Sequence, residues 1–436
     1  MARRSNAEAL AVFLNAKPVG RLTRAASGAV AFSYDASWLG WPGSMPVSIS
    51  LPLTGEVFRG APVINVFENL LPDAEQVRRH VAERLGAGGT DAFSLLSVAG
   101  RDCVGALQFL PDGEAPGPAG EVKGEVLTEA DIAALLRRLR VAPLGMERED
   151  EDFRISIAGA QDKTALLRIG GEWMRPAGTT ATTHILKPAI GVLHNGFDLA
   201  ESVQNEFLCL KLCSGLGLTV AEASIEQFED QLVLAVTRFD RLWTEDGRLL
   251  RLPQEDFCQA LSVPSTLKYQ RDGGPGIQTI MERLKESDSP FKDRRTFLKA
   301  QMVFWLLGAT DGHAKNFSIA HRPGGGFRLT PLYDILSAQP LVDAGELRRN
   351  RFKMAMSIGA KNHYRMDEIQ VRHFTETADT AGLPVGTVEE ICAELERDIP
   401  IVLDELASNV GNVIPAALVE SLSAGIKSRK QILGMN

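Results

Sequence analysis

The sequence predicts an α+β chain in which a β-rich first part gives way to a mostly helical second part. Three observations predict it. Short apolar runs broken by turn residues fill the first hundred positions. Strand-like runs, one carrying a lysine, recur between residues 153 and 239. Helical periodicity dominates after Leu242. A chain of 436 residues has room for two or three packed cores. The composition shifts divide it into an N-terminal β-rich subdomain (1–110), a second β-rich unit (121–240) and a helical unit (241–436).

The runs Leu10–Leu14, Gly20–Thr23 and Ala29–Tyr34 are separated by Asn-Ala-Lys-Pro and Ala-Ser-Gly, a hairpin pattern. Pro72-Asp73 opens a helix through Arg84, with Arg78, Arg79 and Arg84 on a basic outer face and Gly86 as its stop. Pro111–Gly120 holds three prolines and three glycines and reads as a linker. Thr128 and Asp131 have capping-box spacing for a helix to about Arg140. Phe153–Ile157 and Lys163–Ile169 read as strands around an Ala-Gly-Ala-Gln-Asp turn, and Gly170-Gly171 marks a second turn. His184–Pro188 is a strand ended by its proline. Asp198–Leu216 reads as helix and Gln231–Phe239 as strand. Beyond Leu242 the helical pattern is interrupted at Asp272–Gly276 and by a strand segment, Phe327–Ile335.

Composition excludes some functions. Hydrophobic residues make up 44% and charged residues 23%, ordinary for a globular protein. The net charge of −8 argues against direct, charge-dominated nucleic-acid binding. The local run Arg348, Arg349, Arg351 and Lys353 reads as a solvated loop. No apolar run approaches the roughly 18 residues that span a bilayer. The five cysteines have no metal-ligand spacing, and Cys209 and Cys213 share one helix face as small buried hydrophobes. A reducing, cytoplasmic setting is expected.

The most informative stretch is Gly308–Asn316, Gly-Ala-Thr-Asp-Gly-His-Ala-Lys-Asn, directly after the apolar run Phe297–Leu307. Asp311 and Asn316 stand in a D-x-x-x-x-N frame, and Tyr333-Asp334-Ile335 follows a short strand-like stretch. That layout suits phosphoryl transfer: Asp311 accepts the proton of the attacking hydroxyl, while Asn316 and Asp334 hold Mg²⁺ through hard oxygen donors. His313 orients the loop and Lys315 steadies the transferred phosphate. Lys187, at a strand end, is placed to meet the α- and β-phosphates of ATP, with Glu201 or Glu206 of the following helix as its partner. The turn Ala158, Gly159, Ala160, Gln161, Asp162 and Lys163 is the expected phosphate loop. Its consecutive N–H groups form an anion nest, and Lys163 adds a point charge. Arg238 and Phe239 end the last strand where an adenine hinge should fall. The small unit and the helical unit then become the two lobes of a kinase-like fold.

Four segments together closely resemble the HipA family of toxin kinases from bacterial HipBA toxin–antitoxin modules. They are Asp152–Lys163, Arg251–Asp256, Gly308–Asn316 and Leu332–Ile335, with Phe67–Asp73 and Leu95–Asp102 extending the likeness toward the N-terminus. The resemblance implies a bilobal serine/threonine kinase akin to the phosphoinositide-kinase group, using ATP and Mg²⁺. It implies glutamate–tRNA ligase as substrate, growth arrest as outcome, a helix-turn-helix HipB antitoxin as partner, and operator DNA bound mainly through that antitoxin. It matches Asp311 to the catalytic Asp, Asn316 and Asp334 to the metal ligands, Lys187 to the nucleotide lysine, and Ser156 to an autophosphorylation site that shuts the enzyme off. Thr237 departs from the family, where a Glu is expected at the hinge. A kinase of lipids or small molecules, or a non-catalytic nucleotide-binding co-repressor, would share the same constellation.

Overall fold

The computed structural model describes residues 8–139, 161–193, 196–409 and 413–434. They fall into two compact units. The first comprises Met1–Pro188, Glu226–Thr266 and Ile319–Phe327, and the second Ala189–Ile225, Leu267–Ser318 and Arg328–Asn436. The mixed α/β architecture is the fold class expected from the sequence.

The first unit begins with a five-stranded sheet in the order Phe58–Arg59, Val30–Tyr34, Lys17–Arg24, Glu8–Leu14, Leu107–Pro111. Its first hairpin turns at Asn15 and Ala16, with φ of 46° and 66°, and Leu14 pairs with Lys17. Positive φ at both central residues marks the type I′ turn that matches strand twist. Alternate residues Leu10, Val12 and Leu14 point inward and are buried. Tyr34 donates its hydroxyl to Leu51 O, and its oxygen accepts from Val47 N.

A six-stranded sheet follows, in the order Ala223–Phe228, Gln231–Thr237, His184–Pro188, Thr164–Ile169, Glu172–Pro176, Gly124–Val126. The helix Glu129–Leu139 starts from the expected capping box, Thr128 Oγ1 accepting from Asp131 N at 3.2 Å and Asp131 Oδ2 from Thr128 N at 2.9 Å. Gly170 and Gly171, both at positive φ, turn the next hairpin.

The second unit is helical around Pro290–Leu307, whose residues are buried from Phe297 onward. It also contains Ser202–Gly215, Val371–Ala381, Thr387–Asn409 and Ala416–Leu433. Three sequence expectations change here and in the first unit. Residues Asp198–Leu199 pair with Gly191–Val192 as strand, so the helix starts only at Ser202. Lys353–Ile358 is a buried strand inside the stretch expected to be helical: Met, Ala and Lys favour helix, but burial of consecutive side chains on both faces overrides that preference. Arg78 does not lie on the outer face of its helix, Glu75–Leu85. It is buried, and its Nε donates to Pro72 O at 2.7 Å. All five cysteines are buried and free. Among the described residues no helix is long and apolar enough to cross a membrane.

One polar feature inside the first unit had no sequence signal. Asp102 and Asp240 are buried with Arg238, Arg241 and Arg251 in a single network. Asp102 Oδ1 accepts from Arg241 and Arg251, each at 2.9 Å, and Oδ2 accepts from Thr182 Oγ1 at 2.7 Å. Burial pushes both carboxyls up, but the surrounding guanidiniums overcome it and hold them below the usual range. Removing one acid leaves buried cations uncompensated. Asp102→Asn is therefore expected to destabilise the first unit by about 3–5 kcal/mol, read as a lowered urea midpoint for that unit's unfolding.

Candidate functional site

The Asp311 loop is launched from the C-terminal end of Pro290–Leu307. Gly308 takes the left-handed conformation (φ 69°) that ends the helix, its N–H bonded to Phe304 O and Trp305 O. A side chain there would be excluded, since a Cβ would lie 2.6 Å from Phe352 Cζ. The orphan carbonyl of Leu306 is met by Arg429 Nε at 2.9 Å, from the helix Ala416–Leu433. That cation also suits the negative end of the helix dipole. Burial lowers the Arg429 pKa to about 10.

From Gly312 to Ser318 every residue is buried, whereas the Asp311 side chain is 53% exposed. The carboxylate thus stands out from a rigid base. Asn316 Nδ2 donates to Asp311 O at 2.8 Å, and His313 N donates to the same carbonyl at 2.8 Å. With its amide nitrogen so engaged, Asn316 keeps Oδ1 as a hard oxygen donor. The His313 ring lies deeper, its Nε2 3.9 Å from Asp311 Oδ2, too far for a hydrogen bond between those atoms. Lys315 is also buried.

Asp334 is brought toward this loop by its neighbours. Tyr333 OH donates to Lys315 O at 3.1 Å and lies 2.5 Å from Ser318 Oγ, so it grips the chain on both sides of Asn316. Leu332 bridges Val220 in parallel, with Leu332 N to Thr219 O at 2.9 Å and Ala221 N to Leu332 O at 2.8 Å. Beyond it, Ser337 is clasped by Asn205: Asn205 Oδ1 accepts from Ser337 N at 3.0 Å and Nδ2 donates to Ser337 O at 2.9 Å. Ser337 Oγ reaches Leu307 O at 2.5 Å. Held at both ends, Asp334 adopts φ 59°, a left-handed conformation uncommon outside glycine and found at functional sites where surroundings impose it. An Asn oxygen and an Asp carboxylate are hard donors of the kind Mg²⁺ takes, since it uses few protein ligands and completes its shell with phosphate and water. Among the described residues no cluster of three His, Cys, Asp or Glu side chains forms an all-protein metal cage.

In the first unit, Lys187 lies on the strand His184–Pro188, and Lys163 directly precedes the antiparallel strand Thr164–Ile169. Thr164 pairs with Leu186, so each lysine is one residue beyond that pair. Both are buried. Gln161 Nε2 donates to Pro188 O at 3.0 Å, tying the end of the expected phosphate loop beside Lys187. Asp162 is exposed. Ser156, Ala158, Gly159 and Ala160 lie outside the described residues. Of the two helix glutamates, Glu206 is buried and Glu201 is exposed at the N-cap of Ser202–Gly215.

The hinge residues are placed less simply. Arg238 N donates to Thr183 O at 2.9 Å. The Arg238 guanidinium is committed to Asp240, Thr182, Cys103 O and Asp102 within the buried network. As a side chain it serves the unit's interior, and the expected adenine contact is one of the strand-end backbone. Phe239 is half-buried at the strand end. Thr237 pairs with His184 across the strands, its Oγ1 3.4 Å from His184 Nε2. Burial and the nearby Arg168 lower the His184 pKa to about 4, so this ring is neutral near pH 7. The basic run Arg348, Arg349, Arg351 and Lys353 is exposed, as expected of a solvated loop.

Sequence reasoning missed Tyr269, which donates its hydroxyl to Asp311 Oδ1. Nothing local signals it, because the two are 42 residues apart.

A HipA-like C-terminal domain model matches residues 155–402, and a HipA N-terminal domain model matches residues 10–110. The chain is 34% identical over 407 residues to the putative kinase Y4mE of Sinorhizobium fredii, covering 93% of this chain and 91% of that protein. It is 28% identical over 381 residues to the serine/threonine-protein kinase toxin HipA of Shewanella oneidensis, covering 83% and 81%. Among solved structures, HipA in the Shewanella oneidensis MR-1 complex of HipA, HipB and operator DNA superposes with a TM-score of 0.79. It does so over 98% of each chain at 24% identity, which establishes the shared fold.

Gly312 is as tight a steric point as Gly308, since a Cβ there would sit 2.6 Å from Phe304 Cδ2. Phe304 in turn stacks on Phe317 at 5.6 Å and has no room to retreat. Gly312→Ala is expected to cost about 1–3 kcal/mol by overpacking. A lower melting temperature of the second unit, with reduced phosphotransfer, checks it.

Proposed function

As a member of the HipA family this chain is a protein serine/threonine kinase, and we propose that it is the toxin of a toxin–antitoxin module. Its reaction is transfer of the ATP γ-phosphoryl group to a serine of glutamate–tRNA ligase, which inhibits translation and arrests growth. Family membership supports the kinase assignment. The observation that carries the mechanism is the bond from Asn316 to the Asp311 carbonyl, which sets an exposed carboxylate and a buried oxygen donor on one short loop.

In this mechanism Asp311 accepts the proton of the acceptor hydroxyl as its oxygen bonds to phosphorus, and the bond to the ADP oxygen breaks with the electron pair leaving on ADP. Asn316 Oδ1 and Asp334 would hold Mg²⁺, which would neutralise charge on the phosphates. Lys187 and Lys163 receive the phosphates of ATP, with Lys315 and His313 as supporting groups on the loop. Residues Ala158 to Asp162 bind the phosphates, and Phe239 lines the adenine pocket. Ser156 is the site of self-phosphorylation. A phosphate there adds about −1.5 to −2 charges next to a nest for ATP phosphates, and repulsion shuts the enzyme off. A HipB-like helix-turn-helix antitoxin is the partner, and operator DNA is bound mainly through it; the structural relative is a complex of HipA, HipB and operator DNA. The setting is cytoplasmic, in keeping with five free cysteines.

Labelled ATP, Mg²⁺ and glutamate–tRNA ligase test the reading. Asp311→Asn should lower transfer by about 10²–10⁴-fold with ATP affinity little changed; wild-type turnover would remove Asp311 from its role. Ser156→Ala should keep transfer to the ligase and abolish self-labelling, with mass spectrometry locating the phosphate in the wild-type chain.

A further inference from the structure

We infer that Tyr269 is a positioning residue for phosphotransfer: its hydroxyl holds Oδ1 of Asp311 so that Oδ2 is presented to the acceptor hydroxyl. The inference rests on the reading of Asp311 as the base. An aspartate carboxyl turns about a broad, roughly two-fold torsion, and this one is 53% exposed. Left alone it would offer either oxygen in many orientations. A phenol hydroxyl carries one hydrogen, and here that hydrogen goes to Oδ1.

The phenol is itself firmly mounted. Its ring meets His313 edge-on, centroids 4.8 Å apart at 87°. The Arg271 guanidinium lies 5.0 Å and the Lys268 ammonium 5.7 Å from its centroid. The backbone on either side is tied down as well. Lys268 O accepts from Ala314 N at 3.4 Å, so the residue before Tyr269 docks on the Asp311 loop. Gln270 binds Ser357 twice, Oε1 accepting from Ser357 N at 2.8 Å and Nε2 donating to Ser357 Oγ at 2.9 Å. Tyr269 O accepts from Asp272 N and Gly274 N, each at 3.0 Å. A residue fixed before, behind and through its ring does not swing as a gate. It acts as a stop against which the carboxylate rests.

The step it serves balances simply. The serine Oγ forms its bond to the γ-phosphorus, the bond from that phosphorus to the ADP oxygen breaks, and the serine proton passes to Oδ2. Tyr269 keeps its own proton throughout.

Tyr269→Phe retains the ring and removes only the hydroxyl. We expect its turnover number to fall about 10-fold, with KM for ATP and the melting temperature unchanged. Tyr269→Ala should lose turnover and melting temperature together, because the ring contacts go too. The assay is the initial rate of label transfer from γ-labelled ATP with Mg²⁺ into the chain itself and into glutamate–tRNA ligase. Asp311→Asn is run alongside. Wild-type or increased turnover in Tyr269→Phe, with Asp311→Asn inactive, overturns the positioning role and leaves the base in place. Turnover persisting in Asp311→Asn, or no transfer by the wild-type chain, overturns the underlying reading and this inference with it.

Discussion

The bond from the Asn316 carboxamide to the Asp311 carbonyl is the constraint on which the site depends. It joins the two ends of the D-x-x-x-x-N frame and, by engaging the amide nitrogen, leaves Oδ1 as the oxygen donor of Asn316. The rest of the second unit supports that small ring. Gly308 ends the preceding helix, Tyr333 grips the chain on both sides of Asn316, and Asn205 clasps Ser337 just beyond Asp334. Precision here comes from backbone carbonyls and buried amides, which have few ways to move. The one exposed element is the carboxylate that must meet another molecule.

The first unit solves a different problem. Three arginines and two aspartates pair with one another out of water there. The arginines are satisfied by fixed internal partners, as planar guanidiniums favour. Lys187 and Lys163 are also buried, each one residue beyond the Thr164–Leu186 pair.

Much of this was legible in the sequence, for physical reasons that can be named. Hairpins declared themselves because Gly170-Gly171 and Asn15-Ala16 occupy positions where positive φ is required. The capping box at Thr128 was readable because both partners are local. The D-x-x-x-x-N frame was readable for the same reason. What was hidden depends on distant segments. Arg78 looks solvent-facing until Pro72 O and Glu68 are folded against it. The role of the Arg238 guanidinium was hidden likewise, since its partner Asp102 lies 136 positions away. Lys353–Ile358 has helix-forming residues yet is paired and buried as strand. No periodicity reports contacts of that kind.

The cap supplied by Arg429 has a consequence for how the molecule comes into being. Its guanidinium meets a carbonyl made 123 positions earlier in synthesis. While a ribosome is still building the intervening segment, that helix end has no such cation, and the loop beyond it has an unfinished mount. The enzyme's machinery is therefore completed late in translation. A chain that has not yet reached Arg429 lacks this part of the loop's mount.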